Sequence, residues 1–505
     1  MRHAISAPGV AAAVAVLWLG AACGGANHLQ EAKAHIEEDA AYRIAHIEGE
    51  APTEWCADFD HPQFARLTEQ TFEDNLELQA AWARLEQSEA VARQQAAGLW
   101  PWLDAQGGVT HQKIDLSTTF GEGITGQGGG EDGQEAPGQE GDGGALPSST
   151  TFTTYQTSVA ASYEIDVWGR VRSERDAARL DAMATRAQAE SLAMTLMAQL
   201  AETWLEVLYQ RERIDLLDEQ VDVSSRYYEL TLLRLRLGEA TALDVTQQRQ
   251  NLEELRGELA LARGAEKTAR TQLAVLVGRA PNEPIAVPPE KLPRIEPTPP
   301  AGVPADLLTR RPDVRAANLQ LRAADHRIAA AHAERLPALS LSADLSFQAN
   351  ELAGLFEQLL WSVGGSIAQP IFQGGRLAAQ ADQAESAADE ALFTYAQTLY
   401  EAIGEVQEAL ILEEQREAYL ESLREQAEQA RTALELARER FRRGASDYLR
   451  VLTAIEALQG VEQAVLDGRR QRLSTRIQLC RALGGTWTRR LERPVKRGAR
   501  DEEAR

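Results

Sequence analysis

The sequence has few aromatic residues, few cysteines and no long apolar run beyond its N-terminal segment. Aromatic side chains make up only 6% of the 505 residues, which argues against a thick globular core. Three cysteines are too few for a disulfide-rich scaffold. No later apolar run approaches the ~20 residues of a transmembrane helix. The formal charge of −24 disfavours nucleic acid or an anionic bilayer surface as a partner.

Motifs for catalysis and for cofactor binding are also missing. The 8 histidines are scattered, and no Cys/His cluster has the spacing of metal ligands. There is no Gly-rich phosphate loop and no nucleophile elbow. The sequence therefore predicts a protein that is not an enzyme, with no metal, no cofactor and no catalytic residues.

Residues 1–22 have the pattern of an export signal peptide, with a weakly basic start and an apolar core too short to span a bilayer. The segment Leu19–Cys23 resembles a bacterial lipoprotein signal, in which the cysteine becomes the acylated first residue. We therefore expect lipid attachment (palmitate) at Cys23 and a lipid-anchored tether over 23–54. Ordinary cleavage after Ala22 is the alternative. Cys56 and Cys480 could form a disulfide in an oxidising compartment, although we expect buried free thiols.

The strongest signal is an internal repeat with an offset of 206 residues. Gly238 recurs as Gly444, and Gly278 recurs as Gly484, each 206 positions later. A repeat of this length predicts one architectural unit duplicated in tandem. We place the first repeat at 55–280 and the second at 305–485. The Pro-rich linker 281–304 joins them, and we expect the tail 486–505 to be disordered.

Proline-free stretches and apolar residues at alternating three- and four-residue spacing predict very long coiled-coil helices. A helix over 169–237 would be roughly 100 Å long, and its return over 243–278 about half that. Helices over 62–97 and 312–334 would supply the missing length, so that two short helices stacked end to end match one long helix.

Four segments alternate between apolar and small or polar residues, which predicts strands at 103–111, 152–165, 339–348 and 361–369. Their length suits strands that span a bilayer, although a soluble two-faced hairpin would show the same pattern. Residues 121–147 contain many glycines and acidic residues without a lysine or arginine, so we expect a solvated loop on the outer face. Since lipid does not tolerate open sheet edges, four strands must be completed by neighbouring subunits.

Three segments carry a resemblance to a known family. They are 163–170 (YEIDVWGR), 307–314 (LLTRRPDV) and 369–376 (QPIFQGGR). They resemble signatures of the TolC-like outer-membrane efflux family, specifically its NodT-type lipoprotein branch, and the resemblance covers about 55–484. The same residues also suit purely architectural roles, such as Pro312 and Asp313 in a helix first turn.

The resemblance implies a homotrimer with a 12-stranded outer-membrane β-barrel that continues into an α-helical periplasmic tunnel. It also implies two partners, a periplasmic adaptor (membrane fusion) protein and an inner-membrane pump of the RND type. The helix turns at Gly238 and Gly444 would close the tunnel and contact the adaptor. Candidate gate residues are Asp244, Asp447, Arg450 and Thr453, although these positions also fit exposed charges near a helix turn.

The function predicted from this resemblance is passive: an exit duct that conducts small molecules or drugs from the pump to the exterior. A duct for a dedicated exporter of peptides, polysaccharide precursors or metal ions is the alternative. A periplasmic coiled-coil scaffold without a pore is the third hypothesis.

Overall fold

The structure is a computed structural model that describes residues 61–115, 149–283, 285, 287, 291–294 and 310–484. The α-helices with described bounds are α1 Pro62–Asp74, α2 Leu76–Ala97, α3 Arg170–Arg236, α4 Ala242–Leu276, α5 Pro312–Ala333, α6 Arg376–Arg442 and α7 Tyr448–Ala482. The strands are β1 Trp102–Asp115, β2 Ser149–Ile165, β3 Ala338–Ala349 and β4 Leu359–Ala368. The fold is therefore mainly helical with a small sheet, as predicted. The expectations for 1–54, 121–147 and 486–505 lie outside the described residues.

The two repeats have the same helical hairpin. Helices α3 and α6 are both 67 residues long, and α4 and α7 are both 35 residues long. Each end of α6 and α7 lies 206 positions after the matching end of α3 and α4. Inside each hairpin the seam has an apolar part. Its buried residues include Leu217, Leu255, Leu259 and Ala262 in the first hairpin and Leu423, Ala427 and Val461 in the second.

The chain divides into two compact units. A helical unit takes its residues from 1–92, 176–328 and 382–505, and a second unit takes 93–175 and 329–381. The second unit contains the sheet and the helix ends that adjoin it. The largest core cluster of the helical unit surrounds Trp204, which is 1% exposed and packs its ring 5.5 Å from the ring of Phe64.

The prediction of one uninterrupted helix over 62–97 was wrong, because the chain breaks at Asn75. The Asn75 side-chain oxygen accepts from the backbone N–H of Leu78 at 2.9 Å, as an N-cap does. Its Nδ2 donates to the carbonyl oxygen of Leu276, at the end of α4, also at 2.9 Å. One side chain thus satisfies both the start of α2 and the end of α4.

Arg311, immediately before α5, links the start of one helix to the end of another in the second repeat, as Asn75 does in the first. Its guanidinium donates to the Ala482 carbonyl at 3.3 Å and forms ion pairs with Asp313 (2.6 Å) and Glu405 (2.8 Å). Burial alone would raise the pKa of the Asp313 carboxyl. The hydrogen bonds and positive charge of Arg311 lower it, as does the hydrogen bond from the Val314 backbone N–H, and the pKa therefore lies below its ordinary value. Pro312 begins α5, as predicted.

Two glycines allow these junctions to close. Gly278 has φ +75°, and a Cβ there would lie 2.2 Å from the Asp74 carbonyl oxygen. Gly484 has φ +67°, and a Cβ there would lie 2.8 Å from Cγ of Arg311. The two short helices of each repeat therefore meet end to end, as predicted.

The sheet is antiparallel with the strand order β1-β2-β3-β4, and the four observed strands overlap the four predicted ones. The register places Leu103, Ala161, Ala343 and Val363 in one row across the sheet. Because side chains alternate, this row lies on the face that carries most of the large apolar residues of β3 and β4, although His111 and Thr153 lie on the same face of β1 and β2, whereas the other face carries small and polar residues such as Ser342. Strands β1 and β4 form the two edges.

Part of the predicted linker is buried. Ile285, Val287 and Leu292 belong to the main core cluster. The backbone carbonyls of Ile285 and Val287 accept from arginines on the first hairpin, Arg270 at 3.0 Å and Arg211 at 2.5 Å. These residues of the linker are thus a packed strap along the helices.

Cys480 is 5% exposed and disulfide-bonded, so the prediction of a free thiol was wrong for this residue. Its two potential partners, Cys23 and Cys56, both precede the described residues. In the described part of the chain no helix is long and apolar enough to cross a membrane. Nor do the residues described there include a group of three or more His, Cys, Asp or Glu that could hold a metal ion.

Candidate functional site

The first hairpin turn is built around a glycine and a capping box. Gly238 has φ +75°, which favours glycine at the end of α3. Thr241 caps α4, and its hydroxyl oxygen accepts from the backbone N–H of Asp244 at 3.2 Å. The Asp244 carboxylate in turn accepts from the Thr241 backbone N–H and from its hydroxyl, both at 2.8 Å. Asp244 therefore already stabilises the turn of its own hairpin.

The second turn repeats this geometry with different charges. Gly444 has φ +70°, and Asp447 caps α7 by accepting from the backbone N–H of Arg450 at 3.3 Å. Arg450 stands 206 positions after Asp244, so a cation occupies the place that an anion holds in the first repeat. The Thr453 hydroxyl donates to the Leu449 carbonyl at 2.9 Å, within its own helix.

The two hairpins contact each other beside their turns. The Arg234 guanidinium lies 4.4 Å from the centre of the Phe441 ring, and the rings of Phe441 and Tyr448 are 5.7 Å apart. The Tyr448 hydroxyl donates to the side-chain oxygen of Gln248 at 2.8 Å. Burial raises the pKa of the Tyr448 hydroxyl, which therefore remains a neutral donor. These four side chains join the first hairpin to the second.

A buried layer of polar side chains continues this contact. Gln248 and Ser224 are both 0% exposed, and the Gln248 amide donates to the Ser224 carbonyl (3.1 Å) and hydroxyl (2.8 Å). The Asn251 amide donates to the side-chain oxygen of Gln459 on α7 at 3.3 Å. We call Gln248, Ser224, Asn251 and Gln459 the amide layer. Sequence analysis did not identify it.

The four predicted gate residues lie at the start of α4 and α7: Asp244 and Arg450 in the first turns, Asp447 immediately before α7 and Thr453 one turn further along it. In the second hairpin the cap described above brings Asp447 to the backbone of Arg450. Within the described residues of one chain, no ion pair joins the Arg450 guanidinium to Asp244 or Asp447. Cys23, the predicted lipid site, lies outside the described residues.

The sheet exposes its apolar face. Val363 and Ile367 of β4 are both 73% exposed, and Leu103 of β1 is 74% exposed. Exposure of large apolar side chains across several strands is rare in a soluble monomer and marks a surface that contacts lipid or protein. Residue alternation and exposure together identify the face that a membrane would cover.

A comparison with family models is consistent with these features. The model described as "Outer membrane efflux protein" matches residues 67–279 and 303–485, one match in each half of the chain. The chain belongs to the outer membrane efflux protein family. Members of this family are efflux channels, not enzymes.

Relatives named in curated records cover most of the chain. The pyoverdine export outer membrane protein OpmQ of Pseudomonas aeruginosa is 30% identical over 86% of this chain and 87% of its own length. The toluene efflux pump outer membrane protein TtgI of Pseudomonas putida is 29% identical over 85% of this chain and 87% of its own. The solved structure of the outer-membrane channel OprN superposes with a TM-score of 0.78 at 26% identity, over 89% of this chain and 98% of that one. The chain is thus an outer-membrane efflux channel of mainly helical fold.

Proposed function

We propose that this chain forms the exit duct of a tripartite efflux assembly as a homotrimer. Three copies of the four-stranded sheet would close a 12-stranded barrel in the outer membrane, and the helical hairpins would surround a periplasmic tunnel. Small molecules or drugs pass through it without any chemical step, driven by an inner-membrane pump, proposed to be of the RND type. A periplasmic adaptor protein would connect the pump to the duct.

The observation that carries this proposal is the open sheet with one apolar face. Its edge strands are β1, of 14 residues, and β4, of 10 residues, and neither has a second neighbour among the described residues. In a bilayer each unpaired backbone group costs several kcal/mol, so both edges need partners. Pairing β4 of one copy with β1 of the next satisfies both edges at once and closes a ring.

The gate is proposed at the hairpin turns. Asp244 and Arg450 hold equivalent positions in the two repeats and carry opposite charges, which supports an ion pair between neighbouring hairpins. Asp447 and Thr453 lie on either side of Arg450 and would complete the constriction. The turns at Gly238 and Gly444 would present the closed end to the adaptor.

The chain is also proposed to be anchored by a lipid on Cys23. Its sequence context is the only support for this proposal. Palmitate labelling should mark the wild-type protein and not Cys23→Ser, and the variant should be less abundant in the outer membrane. Label that persists in the variant would rule the site out.

The duct is tested by assembly and conductance together. Purified protein should run as a heat-stable trimer on gels and open discrete channels when added to planar lipid bilayers. A trimer that does not associate with liposomes and shows no conductance would instead support the periplasmic scaffold. Val363→Pro on β4 and Val109→Pro on β1 should weaken the trimer, because proline removes a backbone donor from each edge strand.

A dedicated exporter is the second candidate function, because one of the relatives at about 30% identity is named for pyoverdine export. Deleting the gene distinguishes the two. Broad sensitivity to unrelated drugs and solvents would favour multidrug efflux, whereas retention of a single secreted product would favour a dedicated exporter.

A further inference from the structure

The linker strap passes from the end of α4 onto α3 by a defined route. It begins at Gly278, which has φ +75° and closes the last turn of α4 through its backbone N–H at 3.0 Å. Nine residues later Val287 is buried, and its carbonyl accepts from the Arg211 guanidinium on α3. The strap therefore covers the face of the first hairpin that Arg211 marks.

The chain leaves α7 in the same way. Gly484 has φ +67°, and its backbone N–H likewise closes the last helical turn at 3.0 Å. The 206-residue offset also continues beyond this glycine, since Ile285 and Pro288 of the linker correspond to Leu491 and Pro494. The residues after Gly484 thus start from the same backbone geometry as the linker strap and repeat part of its sequence.

Both hairpins have an ion pair at the level of the strap, but its charges are exchanged. On the first hairpin Arg211 pairs with Glu266 at 3.1 Å. On the second hairpin Glu417 of α6 pairs with Arg472 of α7 at 2.8 Å. Glu417 stands 206 positions after Arg211, and its side chain is 56% exposed, against 22% for Arg211. A carboxylate that is open to a second partner thus occupies the place of the guanidinium that binds the strap.

Glu417 belongs to an acidic row on α6. Glu414, Glu417 and Glu421 follow one another at three- and four-residue spacing, so they share one face of the helix, and all three are exposed. Of the three, Glu417 is the one that forms an ion pair within the described residues. Like charges at this spacing destabilise a helix, so cations supplied from outside α6 would stabilise it.

The C-terminal segment 485–500 contains such cations. It has one acidic residue and six basic ones, which are Arg489, Arg490, Arg493, Lys496, Arg497 and Arg500. The equivalent stretch 279–294 has two acidic and three basic residues. The helix changes in the opposite sense, because 401–421 of α6 has seven acidic residues and one basic, whereas 195–215 of α3 has four and two. The two departures from the first repeat are thus complementary in charge.

We propose that the C-terminal segment 485–500 lies across α6 and α7 of the second hairpin, as the linker strap lies across the first. Arg493 stands 206 positions after Val287, and the shared offset places it beside Glu417. The occupant of the acidic row is therefore this chain's own C-terminal segment, in place of the disorder expected from the sequence. The family model matches 67–279 and 303–485, so it includes neither most of the linker nor most of this segment.

The two straps differ in what holds them. The linker strap buries Ile285, Val287 and Leu292 in the main core cluster. The C-terminal segment has only Leu491 and Val495 as large aliphatic residues, so ion pairs with α6 contribute most of its attachment. Salt screens exposed ion pairs, and the C-terminal segment should therefore detach at high ionic strength while the linker strap stays in place.

Trypsin tests the proposal directly, because it cleaves after arginine and lysine. Full-length protein is digested briefly, and the release of peptides from the C-terminal segment is followed by mass spectrometry. The cleavage rate follows the detached fraction when detachment is fast compared with cleavage. We expect Glu414→Gln/Glu417→Gln/Glu421→Gln to be cut about tenfold faster than wild type, and wild type to approach this rate in roughly 0.5 M salt.

A matched control removes the same charge elsewhere. Glu229→Gln/Glu254→Gln/Glu435→Gln replaces three exposed carboxylates nearer the hairpin turns, and its segment should be cut at the wild-type rate. If the wild-type segment is cut as fast as that of the acidic-row variant, the row serves another partner and the docking is refuted. Equal acceleration in the control would refute it as well, since the effect would then come from net charge.

A charge exchange tests the predicted pair. Arg493→Glu should be cut faster than wild type, and adding Glu417→Arg to it should restore protection by forming the pair with reversed polarity. Cleavage is scored after Arg489 and Arg490, which all of these variants retain. Failure of Glu417→Arg to restore protection would refute the register. Because Arg493 lies outside the helices, Arg493→Glu alone keeps the test decisive if changes at position 417 disturb the Arg472 pair.

The proposal concerns a single chain and goes beyond the proposed duct, so the two can fail separately. Conductance of the same protein in planar bilayers measures the duct. A conducting protein with an unprotected segment would refute the docking and leave the duct intact. A protected segment in a protein that does not conduct would refute the duct and leave the docking intact.

Discussion

Asp244→Asn separates two roles of one carboxylate, the capping role seen in the structure and the gate charge that we propose. Asp244 accepts two hydrogen bonds from Thr241 in the capping box, and it is also a proposed gate charge. Asp244→Asn removes the charge but keeps a side-chain oxygen for the Thr241 backbone N–H. Asp244→Ala removes both, and Thr241→Ala weakens the cap while leaving the charge.

The expected magnitudes differ enough to be distinguished. A partly exposed ion pair between Asp244 and Arg450 of neighbouring hairpins contributes up to about 1 kcal/mol. Three symmetric pairs then favour the closed state by up to ~3 kcal/mol, which corresponds to roughly a 100-fold change in the closed-to-open ratio. Loss of the cap costs each α4 about 1 kcal/mol of helix stability but carries no preference for an open tunnel.

Single-channel conductance in planar bilayers is the assay. Asp244→Asn and Arg450→Ala should both raise the conductance or the open time, Arg450→Glu should raise it further, and Thr241→Ala should resemble wild type. If Thr241→Ala opens the channel and Asp244→Asn does not, the cap and not the charge holds the tunnel closed. Unchanged conductance in all of these variants, with trimers intact, would place the constriction elsewhere.

Three further predictions concern the helical unit and are read by thermal unfolding of its helices. Gly278→Ala should cost about 2–5 kcal/mol, because it adds a steric clash to an unfavourable φ, whereas Gly238→Ala, with the same φ and open space, should cost about 1 kcal/mol. Arg311→Met should cost about 1–3 kcal/mol by leaving the half-buried carboxylates of Asp313 and Glu405 without their partner. The pKa of the Asp313 carboxyl, the aspartate partner of Arg311, is lowered in the folded protein. The ion pair therefore stabilises the fold fully above the unfolded-state pKa of this carboxyl and is lost as the pH falls through its folded-state pKa. The stability difference between wild type and Arg311→Met should accordingly vanish in acid. Gln248→Leu should cost about 1–3 kcal/mol through unsatisfied partners in the amide layer, whereas leucine at the exposed Gln250 should be nearly neutral.

The helices and the duplication could be predicted because they depend on periodic features of the sequence. The 206-residue offset and the absence of proline defined two equal hairpins, and the glycines at the turns marked their ends. The alternation of apolar residues with small or polar ones predicted the four strands, because successive side chains of a strand point to opposite faces of the sheet. These signals are local, and each is repeated, so errors at single positions matter little.

The contacts between hairpins could not be predicted in the same way, although the sequence contained a signal. The apolar spacing of α3 has two gaps, one around Arg211 and one around Ser224. In the structure Arg211 pairs with Glu266 at 3.1 Å and binds the linker strap, while Ser224 lies in the amide layer. A gap in an apolar seam thus marked a buried polar contact, but its partners are distant in sequence and spacing alone cannot name them.

The chemistry of the two kinds of seam differs, and this decides which parts of the helical unit can move. Inside each hairpin the helices share apolar seams, whose separation would expose hydrocarbon to water at about 25 cal/mol per Å². Between hairpins, α3 and α7 share part of the main core cluster, which includes Leu208 and Leu473, but they also form ion pairs, including Glu212–Arg469 at 2.7 Å and Glu206–Arg470 at 3.2 Å. Hydrogen bonds exchanged for water cost only about 0.5–1.5 kcal/mol each. Opening of the proposed gate should therefore separate the two hairpins along the polar seam beside their turns, where Tyr448 donates to Gln248 and Asn251 donates to Gln459. If so, Gln248→Leu, which weakens the same seam, must raise conductance as well as lower stability.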